Sequence, residues 1–370
     1  MTDRGRILSI DLMRGFVMFV LVGFQPVLWA MRGEIDAPAF KYLVRLFTHA
    51  DWEGLSIWDL VMPTFLFVSG VTIPFSIDKY RQAKGKAAIY FRIFRRFCLL
   101  WLLGLVIQGN LLSFDPLRIR LFSNTLQAIA VGYLAIAIIM LNLSWRWVAV
   151  VSGACLVAYA LVMSLGGDFT HAGNIAEAID NAVLGRFRDG VYYDAAGNWH
   201  FSPYYDNSWI LSSLNFVVSV AIGALAGSWL KDRSRFLQRK TLGLVVFGIL
   251  ALFLGLGWSI WHPIIKRLWT SSMTLVSSGF ALLLLAAFHF VVDEKGWTKG
   301  MMWLGYYGRN AIVAYFLGEF VRFDSVVNSF TFALAPVVGG FYPAVLAFGK
   351  AAIIFAVLVL MDRAKVHIRL

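Results

Sequence analysis

Apolar stretches of roughly 20 residues, the length that crosses a lipid hydrocarbon core, recur from one end of this chain to the other, and nothing else in it limits the fold so strongly. Hydrophobic residues make up 59% of the 370 and charged residues only 15%. Spans are expected over 8–29, 57–77, 93–111, 124–142, 147–165, 209–230, 241–260, 270–291, 301–320 and 343–361. The reading is an all-α, polytopic integral membrane protein of about ten helices in one bundle. A β-barrel would show short alternating segments, and these are absent. An even number of spans puts both termini on one side. Segments on that side hold Arg4, Arg6, Lys79, Arg81, Lys84, Lys86, Arg92, Arg95, Arg96, Arg146, Lys231, Arg233, Arg235, Arg239, Lys240, Lys295, Lys299, Arg363, Lys365 and Arg369, most of the 33 Lys and Arg residues. Both ends are therefore expected in the cytoplasm. His49, the 112–123 loop, the 166–208 segment, Trp261–Leu268 and Arg322–Gly340 then face outward.

Several classes of function drop out. The net charge of +12 would suggest nucleic acid in a soluble protein, but here the cations lie in short clusters between apolar runs, where they set topology. Cys98 and Cys155 sit inside apolar runs, so neither a disulfide framework nor a thiol site is indicated. No Walker A, Rossmann glycine, His-Glu-x-x-His or Cys-x-x-Cys pattern occurs, which leaves nucleotide hydrolysis and metal chemistry without support. The opening Met-Thr-Asp-Arg-Gly-Arg enters the first span with no small-residue cleavage site and is read as part of a retained helix. With no internal repeat or long linker, 1–370 is treated as one domain whose sizeable polar piece is the external segment 166–208. Gly223 and Gly227 form a GxxxG on the sixth span, a spacing that lets two helices approach closely.

Residues 47–63 are too polar for a plain anchor. His49, Asp51 and Glu53 arrive beside Trp52 and Trp58, just before an apolar run whose first turns carry Asp59 and Pro63. An imidazole titrates near neutrality and can take a proton from an amine or hydroxyl, or accept an acyl group on nitrogen. Either Asp51 or Asp59 is close enough in sequence to orient the ring. The plainer alternative is an interfacial histidine packed among the tryptophans of an aromatic belt.

Other polar groups gather at span ends. Asp11 and Arg14 share a helical face in the first span, as an internal ion pair or a substrate contact. Asn110 ends the third span, and Ser123, Asn124 and Gln127 open the fourth. Ser208, Ser212, Ser213 and Asn215 open the sixth; Lys266, Trp269, Thr270, Ser271 and Ser272 lead into the eighth. Arg309 and Asn310 enter the ninth from the inner side, and Glu319 lies near its outer end. Convergence of so many amides and hydroxyls suggests a polar cavity in the outer half of the bundle, although helix capping accounts for some of them equally well. The seven cations of 79–96 suit either the phosphates of a nucleotide-bearing donor or simple topology and anionic lipid.

These residues carry a resemblance. Ser9-Ile10-Asp11-Leu12-Met13-Arg14-Gly15 resembles the Ser-Leu-Asp-x-x-Arg-Gly opening of the heparan-α-glucosaminide N-acetyltransferase-like transmembrane acyltransferases. His49-Ala50-Asp51-Trp52-Glu53-Gly54-Leu55-Ser56, followed by Asp59-Leu60-Val61-Met62-Pro63, resembles their His-x-x-Trp-x-Gly-x-Thr-x-x-Asp-Leu-x-x-Pro block. Further similarity runs through 123–127, 209–215, 266–272 and 309–312. The resemblance implies transfer of an acetyl group from cytosolic acetyl-CoA to an amino sugar or glycan on the far side, with His49 as general base or acyl carrier and Asp51 and Asp59 beside it. It implies that Asp11, Arg14, Gln25, Asn110, Asn124, Gln127, Ser212, Asn215, Lys266, Trp269, Ser271, Arg309 and Asn310 line the acetyl-CoA and substrate sites, with no metal. Two departures, Gln25 where the glucosaminide enzyme has Asn and Ala128 where it has Arg, bear on the acceptor more than on the donor. The luminal domain of the animal enzyme has no counterpart, so the chain reads as a compact bacterial version, multi-pass in the inner membrane.

The competing class is a secondary transporter of a small polar or anionic solute, which Asp11, Arg14, Lys350 and a central polar cavity would also suit. Symmetry between halves and paired broken helices, which such a transporter would show, are not found in the sequence. Tyr192, Tyr193, Trp199, Tyr204 and Tyr205 in the external segment suit either sugar stacking or seating at lipid headgroups. Lipid bilayer, acetyl-CoA and a glycan are the expected partners, nucleic acid is not, and homo-oligomer formation is left open.

Overall fold

The computed structural model describes residues 7–81, 85–171, 173–202, 207–232 and 234–368. Arg4, Arg6, Lys84, Arg233, Arg369, Tyr204 and Tyr205, weighed above, lie outside these residues. The fold is all-α as expected. Among the described residues the strands are one short hairpin, Val191–Tyr193 paired antiparallel with Trp199–Phe201.

Leu8–Ala30, Trp58–Ile77, Thr125–Asn142, Trp145–Leu165, Ser213–Lys231, Leu237–Trp258, Ser271–Glu294 and Phe323–Arg363 are long and apolar enough to cross a membrane. Two of the ten expected spans depart from this pattern. Lys86–Ile107 is long enough, but its N-terminal half carries Lys86, Arg92, Arg95 and Arg96. The stretch expected over 301–320 is divided into Leu304–Arg309 and Ala311–Phe320, because Asn310 leaves the helix at φ −123°, ψ 39°. The first span is itself modulated. Pro26 has no N–H to close an α-helical bond, and the backbone widens into a π turn over Val20–Phe24 just before it.

The chain forms two compact units. The first comprises Met1–His49, Ser56–Val61 and Ala287–Arg369. Here Leu8–Phe19 lies along Leu304–Arg309, and Tyr342–Arg363 packs against Gln25–Ala30, Ala311–Phe320 and Phe323–Thr331. The first of these contacts is backbone on backbone. A Cβ at Gly15 would sit 1.9 Å from the Leu304 carbonyl oxygen, and one at Gly308 would sit 2.0 Å from that of Asp11.

The second unit comprises Ala50–Leu55 and Met62–Ala286. Ser213–Lys231 is its centre, with Ile73–Arg81, Thr125–Asn142 and Trp145–Leu165 around it. The GxxxG does what its spacing implies. Cβ atoms at Gly223 and Gly227 would fall 2.0 and 2.2 Å from the carbonyl oxygens of Phe67 and Val71, and one at Gly70 would fall 2.0 Å from that of Val220. Between the spans, Asn174 caps the Ile175–Leu184 helix. Buried Asp180 accepts the backbone N–H groups of Trp209 and Ile210 at 2.8 and 2.9 Å, which ties that helix to the start of the next span. In the hairpin turn Asp194 is held down to about 2 by His200 and then by the Asn198 backbone and side chain.

Candidate active site

The helix Pro38–Leu46 ends at Phe47, and Thr48 Oγ1 donates back to the Val44 carbonyl at 2.8 Å. Gln25, the first residue after the π turn, donates a long hydrogen bond of 3.5 Å to the Phe47 carbonyl. The segment delivering His49 is thus tied at both of the residues before it. On the other side of the site, Ser56 and Asp59 form a capping box. The Ser56 N–H and Oγ donate to Asp59 Oδ2 at 3.0 and 2.9 Å, and the Asp59 N–H donates to Ser56 Oγ at 3.2 Å. A serine followed three residues later by a carboxylate, at the head of an apolar run, satisfies helix-terminal N–H groups in this reciprocal way.

Capping uses Oδ2 and leaves Oδ1 for the imidazole. His49 Nδ1 lies 2.6 Å from Asp59 Oδ1. A carboxylate only accepts, so the proton of that bond sits on Nδ1 and the ring's lone pair falls on Nε2. The Asp59 side chain is 1% exposed and that of His49 is 45% exposed. A buried anion therefore orients a ring whose opposite nitrogen is accessible. The Trp58 ring stands 6.2 Å from the imidazole, centre to centre. Of the two carboxylates considered for this job, Asp59 holds the ring; Asp51 is exposed in the second unit. Ser56 was missed as a site residue, although its spacing from Asp59 was the signal for it.

The other first-unit candidates carry packing bonds. Asp11 is buried, and Arg14 Nη1 donates to the Gly308 carbonyl at 3.5 Å. Arg309 grips Asp362 with two hydrogen bonds of 2.5 and 2.9 Å, and His367 Nε2 lies 2.9 Å from the same carboxylate. Asn310 donates to the Val366 carbonyl at 3.2 Å and accepts the Ile368 N–H at 3.0 Å. Arg309 and Asn310 therefore fasten the C-terminal stretch, and the amide of Asn310 is occupied on both sides.

In the second unit much of the capacity of the polar groups at the span ends goes to the chain itself. Asn124 Oδ1 caps Leu126 at 2.7 Å and its Nδ2 reaches Gln108 Oε1 at 3.0 Å. Gln127 spans the Leu121 carbonyl and the Ser123 N–H at 2.7 and 2.9 Å. Asn110, in a left-handed conformation, donates to the Arg118 carbonyl at 3.0 Å. The remaining groups gather on the turn before Ser271–Phe288. The Leu268 carbonyl accepts from Tyr159 Oη at 2.5 Å and Ser212 Oγ at 2.8 Å. Asn215 Nδ2 donates to the Trp269 carbonyl at 2.7 Å, and Ser271 Oγ donates to that of Leu156 at 2.9 Å. This belt holds Trp269 at φ +54°, a strained backbone for a bulky residue. Asn215 Oδ1 is buried without a partner among the described residues. Lys266, beside this turn, is half-buried.

His262 has no precedent among the residues singled out by sequence. Both its ring nitrogens are buried and unpartnered among the described residues, with the rings of Tyr159, Phe169 and Trp258 around it. Burial lowers its pKa from the ordinary 6.5 to about 4. The neutral ring is favoured in the fold, so its contribution is present above 6.5 and is lost as pH falls from there toward 4. Asp189, pushed up to about 7 by burial, acts in the opposite sense and loses its contribution as pH rises through that value. The difference between parent and His262→Phe melting curves isolates the histidine: the variant is expected to gain on the parent progressively between pH 6.5 and 4. A constant offset across that range would contradict this.

Among the described residues no group of three or more His, Cys, Asp or Glu side chains is arranged to hold a metal ion. No family model matches the chain. It is similar to the heparan-alpha-glucosaminide N-acetyltransferase of Homo sapiens, 27% identical in a comparison that covers 84% of this chain and 52% of that protein. The Mus musculus protein of the same name is 26% identical in a comparison that covers 73% of this chain and 48% of its own. The chain spans about half the length of these curated relatives.

Proposed function

We propose that this chain, which is similar over most of its length to heparan-alpha-glucosaminide N-acetyltransferases, is a multi-pass membrane acetyltransferase, moving an acetyl group from cytosolic acetyl-CoA to the amine of an amino sugar or glycan on the outer face. The membrane is a bacterial cytoplasmic membrane, with both termini inside. The observation that carries this reading is the buried Asp59 carboxylate on His49 Nδ1, which leaves an accessible basic nitrogen at Nε2.

That nitrogen suits the reaction. An amine attacking a thioester carbonyl must shed a proton as the C–N bond forms and the C–S bond breaks. His49 Nε2 takes the proton from the attacking nitrogen and returns it to the departing thiolate, so the imidazole ends neutral. While the ring is protonated, the Asp59 carboxylate stabilises the imidazolium without itself taking the proton. The same lone pair would also serve as a nucleophile that carries the acetyl group between donor and acceptor. Ser56 contributes indirectly, by fixing the carboxylate that fixes the ring.

The test is transfer of label. Membranes containing the protein are incubated with acetyl-labelled CoA and a panel of amino sugars, glycan fragments and their N-acetylated forms. Free-amine acceptors are expected to gain label and the N-acetylated ones are not. Absence of labelled product across the panel, with CoA species failing to raise the melting temperature of the purified protein, would overturn the reading.

A further inference from the structure

The helix Lys86–Ile107 packs along Thr125–Asn142, and three side-chain contacts fix its depth against that span. Tyr90 Oη donates to Asn142 Oδ1 at 2.8 Å, at one end of the partner helix. A Cβ added at Gly104 would fall 2.7 Å from Gln127 Cγ, near the other end. Arg96 comes between, with its guanidinium carbon 4.1 Å from the centre of the Tyr133 ring. Tyr133 stands about 13 Å along its helix from Asn142. We propose that Arg95 and Arg96 bind the phosphate of an anionic phospholipid, drawn from the adjoining leaflet down this face of the helix. The site is independent of the acetyltransferase reading and asks only that the two helices cross a bilayer.

Arg96 needs a counter-charge, and these helices do not supply one. Its Nε is buried, and among the described residues its side chain makes no hydrogen bond or ion pair, only the contact with the ring. A ring face answers part of a guanidinium's charge and leaves its N–H donors without acceptors. Neither helix contains an Asp or Glu. An unneutralised cation at this depth is costly in hydrocarbon, and local thinning of the bilayer toward it relieves the cost. Arg95 is exposed at the neighbouring position, and half-buried Arg92 lies one turn nearer the Asn142 end. The three share one side of the helix, so a phosphate reaching Arg96 passes a row of cations.

The exposed face points to a lipid as the source of that phosphate. Phe91, Phe94, Cys98 and Leu102 stand exposed around Arg95, in a stripe with the period of a helix. A soluble phosphate at the arginines would leave these apolar side chains uncovered. An acyl chain covers them while its headgroup meets the cations: Phe91 and Phe94 flank the headgroup, and Cys98 and Leu102 lie along the chain's path toward the bilayer centre. A planar guanidinium matches a phosphate with two parallel hydrogen bonds. Two arginines outweigh the single charge of a phosphodiester, which favours a headgroup carrying no ammonium of its own.

The test uses the full chain, delipidated in detergent, with phosphatidylglycerol, phosphatidylcholine and glycerol phosphate as probes. Native mass spectrometry counts bound lipid, and the melting temperature reports its effect. Phosphatidylglycerol is expected to bind and to raise the melting temperature; glycerol phosphate, which has the phosphate without the chains, is expected to do neither. Arg96→Gln should weaken phosphatidylglycerol about tenfold or more, the loss of one charge-assisted hydrogen bond, and phosphatidylcholine should bind the parent more weakly by a similar factor. Arg96→Lys, which keeps the charge without the fork, should fall between. Arg95→Gln changes an exposed side chain, should also weaken binding, and carries the test where the Arg96 variants fail to fold. Arg146, exposed on the next helix just beyond Asn142, is the control for general attraction of anionic lipid to a basic helix end. Arg146→Gln should bind as the parent does. Equal binding of the two lipids, stabilisation by glycerol phosphate, displacement of phosphatidylglycerol by coenzyme A, or a loss in Arg146→Gln as large as in the Arg95 and Arg96 variants overturns the proposal.

Discussion

His49→Ala is expected to lower acetyl transfer by about 10²–10⁴-fold, the usual contribution of a positioned general base, with little change in melting temperature. The ring is nearly half exposed and its one hydrogen bond among the described residues runs to Asp59, so its removal takes away chemistry more than packing. Asp59→Asn should come close to the same loss. An asparagine amide on Oδ1's position would present a donor to Nδ1 and invert the tautomer, leaving the lone pair on the wrong nitrogen. Asp59→Ala should be worse in a different way, because the capping box opens as well, at about 1 kcal/mol of stability. Turnover and melting temperature measured on all three variants separate these effects. Parent-like turnover by His49→Ala would remove the imidazole from the mechanism altogether.

Gly223→Val is expected to unfold the second unit at a markedly lower temperature, with a penalty of about 1–3 kcal/mol or more from overpacking. The obstacle is the backbone of the facing helix: an added Cβ meets the Phe67 carbonyl oxygen at 2.0 Å and its carbon at 2.8 Å. Backbone cannot swing aside as a long side chain can, so the helices must separate or slide, and the reciprocal fit of Gly70 on Val220 is lost with them. Gly153→Ala supplies the control. No atom lies within 4 Å of its added Cβ, so the change should be neutral or slightly stabilising through helix propensity. Equal melting temperatures for the Gly223 and Gly153 variants would mean that the close helix contact contributes little.

Much of this was legible because it is local. Apolar runs of membrane length specify helices, and a GxxxG specifies close approach; the Ser56–Asp59 capping box was carried by an equally local spacing but was not read from it. Harder to read were the features where a charge or a break interrupts a run. Lys86–Ile107 and the divided Leu304–Arg309 and Ala311–Phe320 counted as spans by sequence, yet the first is loaded with cations and the second bends at Asn310. The polar groups at the span ends were expected to line a cavity. Their partners were not foreseen, since an amide facing a cavity and an amide holding a distant carbonyl look alike in one dimension.

By itself the sequence determined that this chain is a bundle of membrane-length helices with a histidine placed just ahead of an apolar run, because length and hydrophobicity act along a continuous stretch of chain. Only the tertiary structure decided that Asp59 rather than Asp51 takes the imidazole, that Arg309 is spent on Asp362, and that Arg96 lies over the Tyr133 ring. Those choices join residues brought together by how helices and loops pack, and a hydrogen bond reaching only about 3 Å is made or missed on that packing alone.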